Sequence, residues 1–95
     1  MTDIQLDSIP VMLPSVISRI VDQEAVLVLP EQGQVKVLNP VGARIWTMID
    51  GIRTIREIAA LISQEYDVDS SQAEQDAIQF ISDLHRRKVL AIFGD

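Results

Sequence analysis

Few side chains in this sequence could carry acid–base or nucleophilic chemistry. His85 is the single histidine, and the chain contains no cysteine. A histidine-based metal cluster, a paired imidazole arrangement and a thiol nucleophile therefore have no residues from which to be built. We interpret His85 as a helix-end residue near the negative pole of a helix dipole. We predict that the protein is not an enzyme and has no catalytic residue, no metal site and no cofactor.

A group of carboxylates in the last third of the chain is the other candidate for chemistry. Its members are Asp67, Asp69, Glu74, Asp76 and Asp83. Their spacing does not match a calcium-binding loop, and a solvated acidic face is the more ordinary reading. The four glycines form neither a Gly-x-Gly motif nor a loop leading into Lys-Ser or Lys-Thr, so no phosphate-binding loop is predicted.

Length and charge narrow the range of partners. The chain has 95 residues, 47% of them apolar, which suits one domain with one core. Fourteen acidic and eight basic residues give a formal net charge of −6, which repels a phosphate backbone, so no nucleic-acid partner is expected.

No segment approaches the roughly 18 apolar residues of a membrane span, and no signal peptide is visible. We expect a soluble, cytoplasmic protein with no membrane partner. A homodimer would add stability to so small a core.

The elements that would position a binding surface begin with a sheet. Residues 1–14 contain Pro10 and Pro14, and we interpret them as a flexible lead-in to a single domain of residues 15–95. Three later runs have the length and β-branched composition of strands: 16–21, 25–29 and 34–38. Turn residues at 30–33 join the last two runs. These features predict a three-stranded antiparallel meander.

Three helices are predicted after the sheet, because the apolar period lengthens to about 3.6 residues at Asn39. The start signals are Asn39-Pro40 for the first helix, Thr54 with Glu57 for the second, and Ser71 with Glu74 for the third. The third helix is expected to end near Lys88, and Trp46 is expected in the core. Residues 89–93 either form a strand or pack over the helices. The fold class is α+β and winged-helix-like, a three-stranded antiparallel sheet followed by three helices.

Two neighbouring features could bind a partner. The third helix has one apolar row of Ala73, Ala77, Phe80 and Leu84 beside another of Ile78 and Ile81. This is more apolar surface than one packing seam requires, although any one of these residues could simply belong to the core. The third strand, residues 34–38, lies at an edge of the meander. An open edge beside an apolar helix is the geometry for β-strand addition of a peptide.

An ordered series of short motifs runs through residues 15–93. The motifs are Val28-Leu29-Pro30-Glu31, Leu38-Asn39-Pro40, Gly42-Ala43-Arg44-Ile45-Trp46, Ile49-Asp50-Gly51, Arg53-Thr54, Glu57-Ile58, Glu65-Tyr66, Asp76, Phe80-Ile81 and Leu84. In order and spacing this series resembles the PqqD-like family. The resemblance implies a winged-helix-like domain that chaperones a ribosomally made precursor peptide. It also implies a partner enzyme, such as a radical SAM enzyme, a protease or a cyclase.

The resemblance further implies that the leader of the precursor peptide adds as a strand to the third strand and is held by the third helix. Carried onto this chain, the peptide-binding residues are Gln34, Val35, Lys36, Val37, Leu38, Asp76, Ala77, Phe80, Ile81, Asp83, Leu84 and Arg87. The turn at 31–34 is longer than in members serving pyrroloquinoline quinone synthesis, and their Arg-Pro opening is missing before Val16. Lasso-type and other modified-peptide pathways therefore stay open beside that one.

Two functions of other classes remain as alternatives. A winged-helix module could bind nucleic acid or regulate transcription, but Arg86, Arg87 and Lys88 are its only basic cluster. A dimerisation scaffold would bury the third strand's edge against a second copy.

Overall fold

The predicted meander and three helices are both present in a computed structural model, which describes residues 4–94. The elements are β1 (Pro10–Met12), β2 (Ile17–Val21), β3 (Glu24–Leu29), β4 (Gln34–Leu38), α1 (Pro40–Met48), α2 (Ile55–Tyr66), α3 (Ser70–Arg86) and β5 (Leu90–Ile92). Strands β2, β3 and β4 form one antiparallel sheet in that order, so the predicted third strand is β4. The α+β prediction is confirmed.

The core lies between one face of this sheet and the helices. Alternate residues of β3 point inward, and Ala25, Leu27 and Leu29 are buried. Trp46 of α1 is also buried, at 2% exposure, as predicted. The opposite face of the sheet is open, and Val35 and Val37 are more than half exposed there, at 64% and 59%.

The starts of α1 and α2 follow the predicted capping signals. The Asn39 side chain accepts a hydrogen bond of 2.8 Å from the Gly42 N–H, with Pro40 in the first turn. At α2, Thr54 and Glu57 form a reciprocal capping box, each side chain accepting from the other's backbone N–H. Both helix starts are therefore fixed by local sequence.

Replacing Thr54 with alanine should lower the free energy of unfolding by about 1 kcal/mol, because the Glu57 N–H then loses its capping acceptor. Urea unfolding followed by circular dichroism measures the change, and Thr54→Ser, which keeps the hydroxyl, is the matched control. Equal stabilities for the alanine variant and the wild type would contradict this account of the α2 start.

The predicted capping box at the start of α3 is wrong. The N-cap is Asp69, whose side chain accepts from the Ser71 N–H at 3.1 Å and whose C=O accepts from the Ala73 N–H at 2.9 Å. An aspartate two residues earlier is as good an N-cap as serine, and α3 therefore begins at Ser70.

Helix α3 ends at Arg86, earlier than the predicted Lys88. Lys88 adopts left-handed geometry, with φ 61°. Its N–H bonds to the His85 C=O, and the Val89 N–H bonds to the Leu84 C=O. This pair of hydrogen bonds, with Leu84 and Val89 both fully buried, is a Schellman motif that stops the helix. His85 lies in the last turn, as predicted.

A second, two-stranded sheet joins the two ends of the described chain. β1 pairs antiparallel with β5, with Pro10 opposite Ile92 and Met12 opposite Leu90. The sequence left the conformation of residues 89–93 open, and the structure places a strand there. The sequence did not predict β1, since a strand of three residues that begins with a proline is too short to show an alternating pattern. Residues 1–3 of the lead-in, and Asp95, lie outside the described residues.

An ion pair on the surface joins α1 to α2. Arg44 donates to both carboxylate oxygens of Glu65, from Nη2 to Oε1 at 2.7 Å and from Nε to Oε2 at 2.9 Å. The hydrogen bond from Arg44 lowers the pKa of Glu65 below its ordinary value of 4.5, and the same bond raises the pKa of Arg44.

The sign of the Glu65 shift gives a prediction. A lowered folded-state pKa adds stability that is complete above the ordinary value of 4.5 and is lost as the pH falls through the folded value. The fall in unfolding free energy between about pH 7 and about pH 3 should therefore be smaller for Glu65→Gln than for the wild type. Urea titrations at both pH values test it, with Glu74→Gln as a control of equal charge change. Identical pH dependence in the wild type and the Glu65 variant would contradict it.

Across residues 4–94, none of the helices combines the length and the apolar character needed to cross a membrane.

Candidate functional site

One edge of the main sheet is open along β4. Within the described residues β4 pairs with β3 alone, and the C-terminal strand β5 pairs with β1 instead of covering this edge. Which backbone groups of β4 face outward follows from the alternation of backbone direction along β3, and that alternation is set by the turn that joins β2 to β3.

That turn consists of Asp22 and Gln23, which both have positive φ, at 50° and 69°. Two such residues between paired strands make a type I′ turn. A turn of this kind closes on a hydrogen-bonded pair, here Val21 and Glu24. The backbone N–H and C=O of Glu24 therefore point towards β2.

Backbone direction alternates along a strand, so every second residue after Glu24 points its N–H and C=O towards β4. In the observed register these residues and their β4 partners are Ala25 with Leu38, Leu27 with Lys36, and Leu29 with Gln34. The remaining β4 residues, Val35 and Val37, therefore direct their backbone N–H and C=O away from the sheet. These are the groups that an added strand would bind.

A groove of about 480 Å³ lies beside this edge, between β4 and α3. Its lining comes from β4 (Lys36, Val37, Leu38), from the start of α1 (Asn39, Val41, Gly42, Ile45) and from α3 (Asp76, Phe80, Asp83). The hairpin after β3 is tied to the end of α3, since the Gln32 side chain donates to the Arg87 C=O at 2.6 Å. This bond helps to hold the strand and the helix at a fixed separation.

Gly42 allows the aromatic wall of the groove to form. A Cβ atom at this position would lie 3.1 Å from Cε1 of Phe80 and 3.2 Å from Oδ1 of Asn39, closer than side chains normally pack. Without that atom, the half-buried Phe80 ring rests directly against the first turn of α1. Sequence reasoning did not assign Gly42 to the site. A glycine inside a helix, where alanine is favoured, was the available signal.

The charges in the groove are unevenly matched. Asp83 receives three cations: Lys36 at 3.9 Å, Arg86 at 3.3 Å and Arg87 at 3.2 Å. Asp76 accepts a hydrogen bond of 2.9 Å from the Gln72 side chain, and no ion pair to it occurs within residues 4–94. One end of the helical wall thus carries an excess of positive charge around Asp83, while the other keeps the negative charge of Asp76.

The structure brings together about half of the predicted site residues and separates the rest. Those that line the groove are Lys36, Val37, Leu38, Asp76, Phe80 and Asp83. Gln34 and Val35 are exposed on the same strand without lining the groove, and Arg87 caps the end of α3. The lining residues of α1 were not predicted.

Three predicted site residues of α3 face the core. Ala77, Ile81 and Leu84 are at most 1% exposed, so their side chains are not available to a peptide in this structure. They lie at helical spacing on the side of α3 that packs against α2 and β5. The apolar surface that α3 leaves open to a peptide is therefore narrower than the sequence suggested, and Phe80 is its main member at the groove.

The described residues provide no metal centre. Among residues 4–94 there is no group of three or more histidine, cysteine, aspartate or glutamate side chains placed to hold a metal ion.

Comparisons with known proteins agree on one family. Residues 24–90 match the family described as Coenzyme PQQ synthesis protein D (PqqD). A PqqA binding protein of Xanthomonas campestris pv. campestris is 32% identical over 67 residues, which are 70% of this chain and 71% of the relative.

Solved structures show the same similarity in three dimensions. TbiB1 in complex with the TbiA(beta) leader peptide has a TM-score of 0.80 and 30% identity, over 90% of this chain and 99% of that chain. The PqqD truncation of Methylobacterium extorquens PqqCD, a stand-alone recognition element for ribosomally synthesised and modified peptides, has a TM-score of 0.79 and 25% identity, over 95% and 96%. Since the family match spans most of the sequence, this chain belongs to the PqqD family.

Proposed function

We propose that this protein is a non-catalytic recognition element that binds the leader of a ribosomally synthesised precursor peptide and presents it to a modifying enzyme. The observation that carries the proposal is the open β4 edge, where the backbone of Val35 and Val37 faces outward beside an apolar groove. Similarity to TbiB1, whose structure contains a leader peptide, and to PqqA binding proteins supports it.

The mechanism follows from the pattern of the strand. A leader segment would pair with the outward N–H and C=O groups of Val35 and Val37, and its side chains would alternate between two environments. One set would enter the groove against Phe80, Val41 and Ile45. The other set would join the exposed valines on the open face of the sheet. Main-chain pairing would give affinity, and the groove would give selectivity.

A chain with this role needs no reactive groups of its own. The modifying chemistry would belong to a partner such as a radical SAM enzyme, a protease or a cyclase, acting in a lasso-type, pyrroloquinoline quinone or other modified-peptide pathway in the cytoplasm. The winged-helix-like arrangement would serve here as a peptide-binding scaffold.

The nucleic-acid alternative has little support from the charges. The basic cluster at the end of α3 is partly neutralised, since Arg86 and Arg87 both pair with Asp83. Asp83 offsets one of these charges, and the small cluster that is left offers few phosphate contacts on a chain whose formal net charge is −6.

Binding of a synthetic leader tests the proposal. The probe is a fluorescein-labelled leader chosen from the short open reading frames that neighbour the gene, titrated with the full chain and followed by fluorescence anisotropy. We expect saturable binding of this leader and none of a scrambled peptide of equal composition. Equal binding of both peptides, or of neither, would contradict the proposal.

A further inference from the structure

The wall of the groove formed by α3 contains a charge that nothing in the described chain matches. Asp76, Phe80 and Asp83 all line the groove. Asp83 is surrounded by Lys36, Arg86 and Arg87. Asp76 is exposed and has only the neutral Gln72 amide as its side-chain partner in residues 4–94. A cation brought by a bound peptide would therefore find its partner at Asp76.

The spacing along the groove fits an extended peptide. Phe80 and Asp76 are separated by four helical residues, which corresponds to about 6 Å along the axis. Side chains on one face of a strand are two residues apart, which corresponds to about 6.8 Å. When an apolar side chain of the peptide packs on Phe80, the peptide residue two positions from it would thus have its side chain next to Asp76.

The relative direction of β4 and α3 can be read from the contacts. Lys36 on β4 pairs with Asp83, and Gly42, later in the chain, lies next to Phe80, which precedes Asp83 on α3. The chain from β4 into α1 therefore runs in the direction opposite to that of α3. An antiparallel peptide would then run along with α3. Its residue at Asp76 would precede the apolar residue by two positions.

We propose that Asp76 selects peptides with a lysine or arginine two residues from the apolar side chain that packs on Phe80. This inference rests on the proposed function and names the peptide class that the groove accepts. The formal net charge of −6 works in the same direction, since it attracts a cationic peptide at long range.

Selection from a random peptide library provides the test. The full-length protein and its Asp76→Lys variant are each used to select from displayed random 12-residue peptides. We expect the wild type to enrich lysine or arginine two residues from a leucine, isoleucine or aromatic residue, and Asp76→Lys to enrich aspartate or glutamate at that position. Glu74→Lys, on the same helix but not lining the groove, is the matched control and should select as the wild type does.

One selected peptide is then synthesised and its affinity measured. Asp76→Asn should weaken its binding about three- to fivefold, the upper part of the range of an exposed ion pair, and Glu74→Gln should leave it unchanged. Peptides that bind at the β4 edge without any charge preference would overturn this inference alone. If no selected peptide binds at the β4 edge, the proposed function fails together with this inference.

Discussion

Replacing Val37 with proline should weaken leader binding about thirtyfold or more while leaving the domain folded. The variant loses an outward backbone donor, and the proline ring obstructs the neighbouring peptide strand. An unpaired carbonyl on the bound leader adds a desolvation cost of about 1–3 kcal/mol. Fluorescence anisotropy with the labelled leader measures the affinity, and circular dichroism checks the fold. The fold should survive because proline is tolerated where an edge strand's N–H points outward.

The opposite edge of the sheet offers a matched control. By the same alternation, the Ser18 N–H on β2 points away from β3, so Ser18→Pro places an equivalent proline on the other open edge. We expect this variant to bind the leader as the wild type does. If Val37→Pro retained full affinity, or if Ser18→Pro alone lost it, the leader would not be binding at β4.

Replacing Phe80 with alanine should reduce leader affinity about thirtyfold. Phe80 is the main apolar residue that α3 offers to the groove, and its ring lies next to Gly42, where a Cβ atom would crowd it. Aromatic anchors at the centre of an interface contribute about 2 kcal/mol or more on truncation. Isothermal titration with the leader gives the affinity, and Phe80→Leu should recover part of the loss because it restores apolar volume.

Loss of packing must be separated from loss of binding in the Phe80 variant. Ile78, on the same helix, is also half-buried against the core but does not line the groove. Ile78→Ala should therefore lower stability while leaving leader affinity unchanged. If the Ile78 and Phe80 variants lost equal affinity, the effect would come from general destabilisation of α3.

The helix starts could be predicted from sequence because their signals are local. Asn39 with Pro40, and Thr54 with Glu57, each satisfy backbone groups within one turn, so no distant residue is needed. The α3 start was misplaced because Asp69 and Ser71 are both competent N-caps. Local sequence does not choose between them, and in the structure it is Asp69 that accepts the hydrogen bonds from the Ser71 and Ala73 N–H groups.

The site depended more on the tertiary arrangement. The outward direction of the Val35 and Val37 backbone follows from a two-residue turn at Asp22 and Gln23, and glutamine is an unusual residue for positive φ. On α3, periodicity predicted an apolar helix but not which of its faces meets α2. Ala77 and Phe80 consequently looked alike in sequence, although the first is buried and the second lines the groove.

Amide hydrogen exchange of the isotope-labelled protein, with and without the leader peptide, tests the central claim most directly. In the free protein, the Val35 and Val37 amides should exchange fast while the Lys36 amide, bonded to β3, exchanges slowly. Leader binding should slow exchange at Val35 and Val37 and shift the NMR signals of Asp76 to Asp83. A leader that binds without changing exchange at Val35 and Val37 would contradict strand addition at β4.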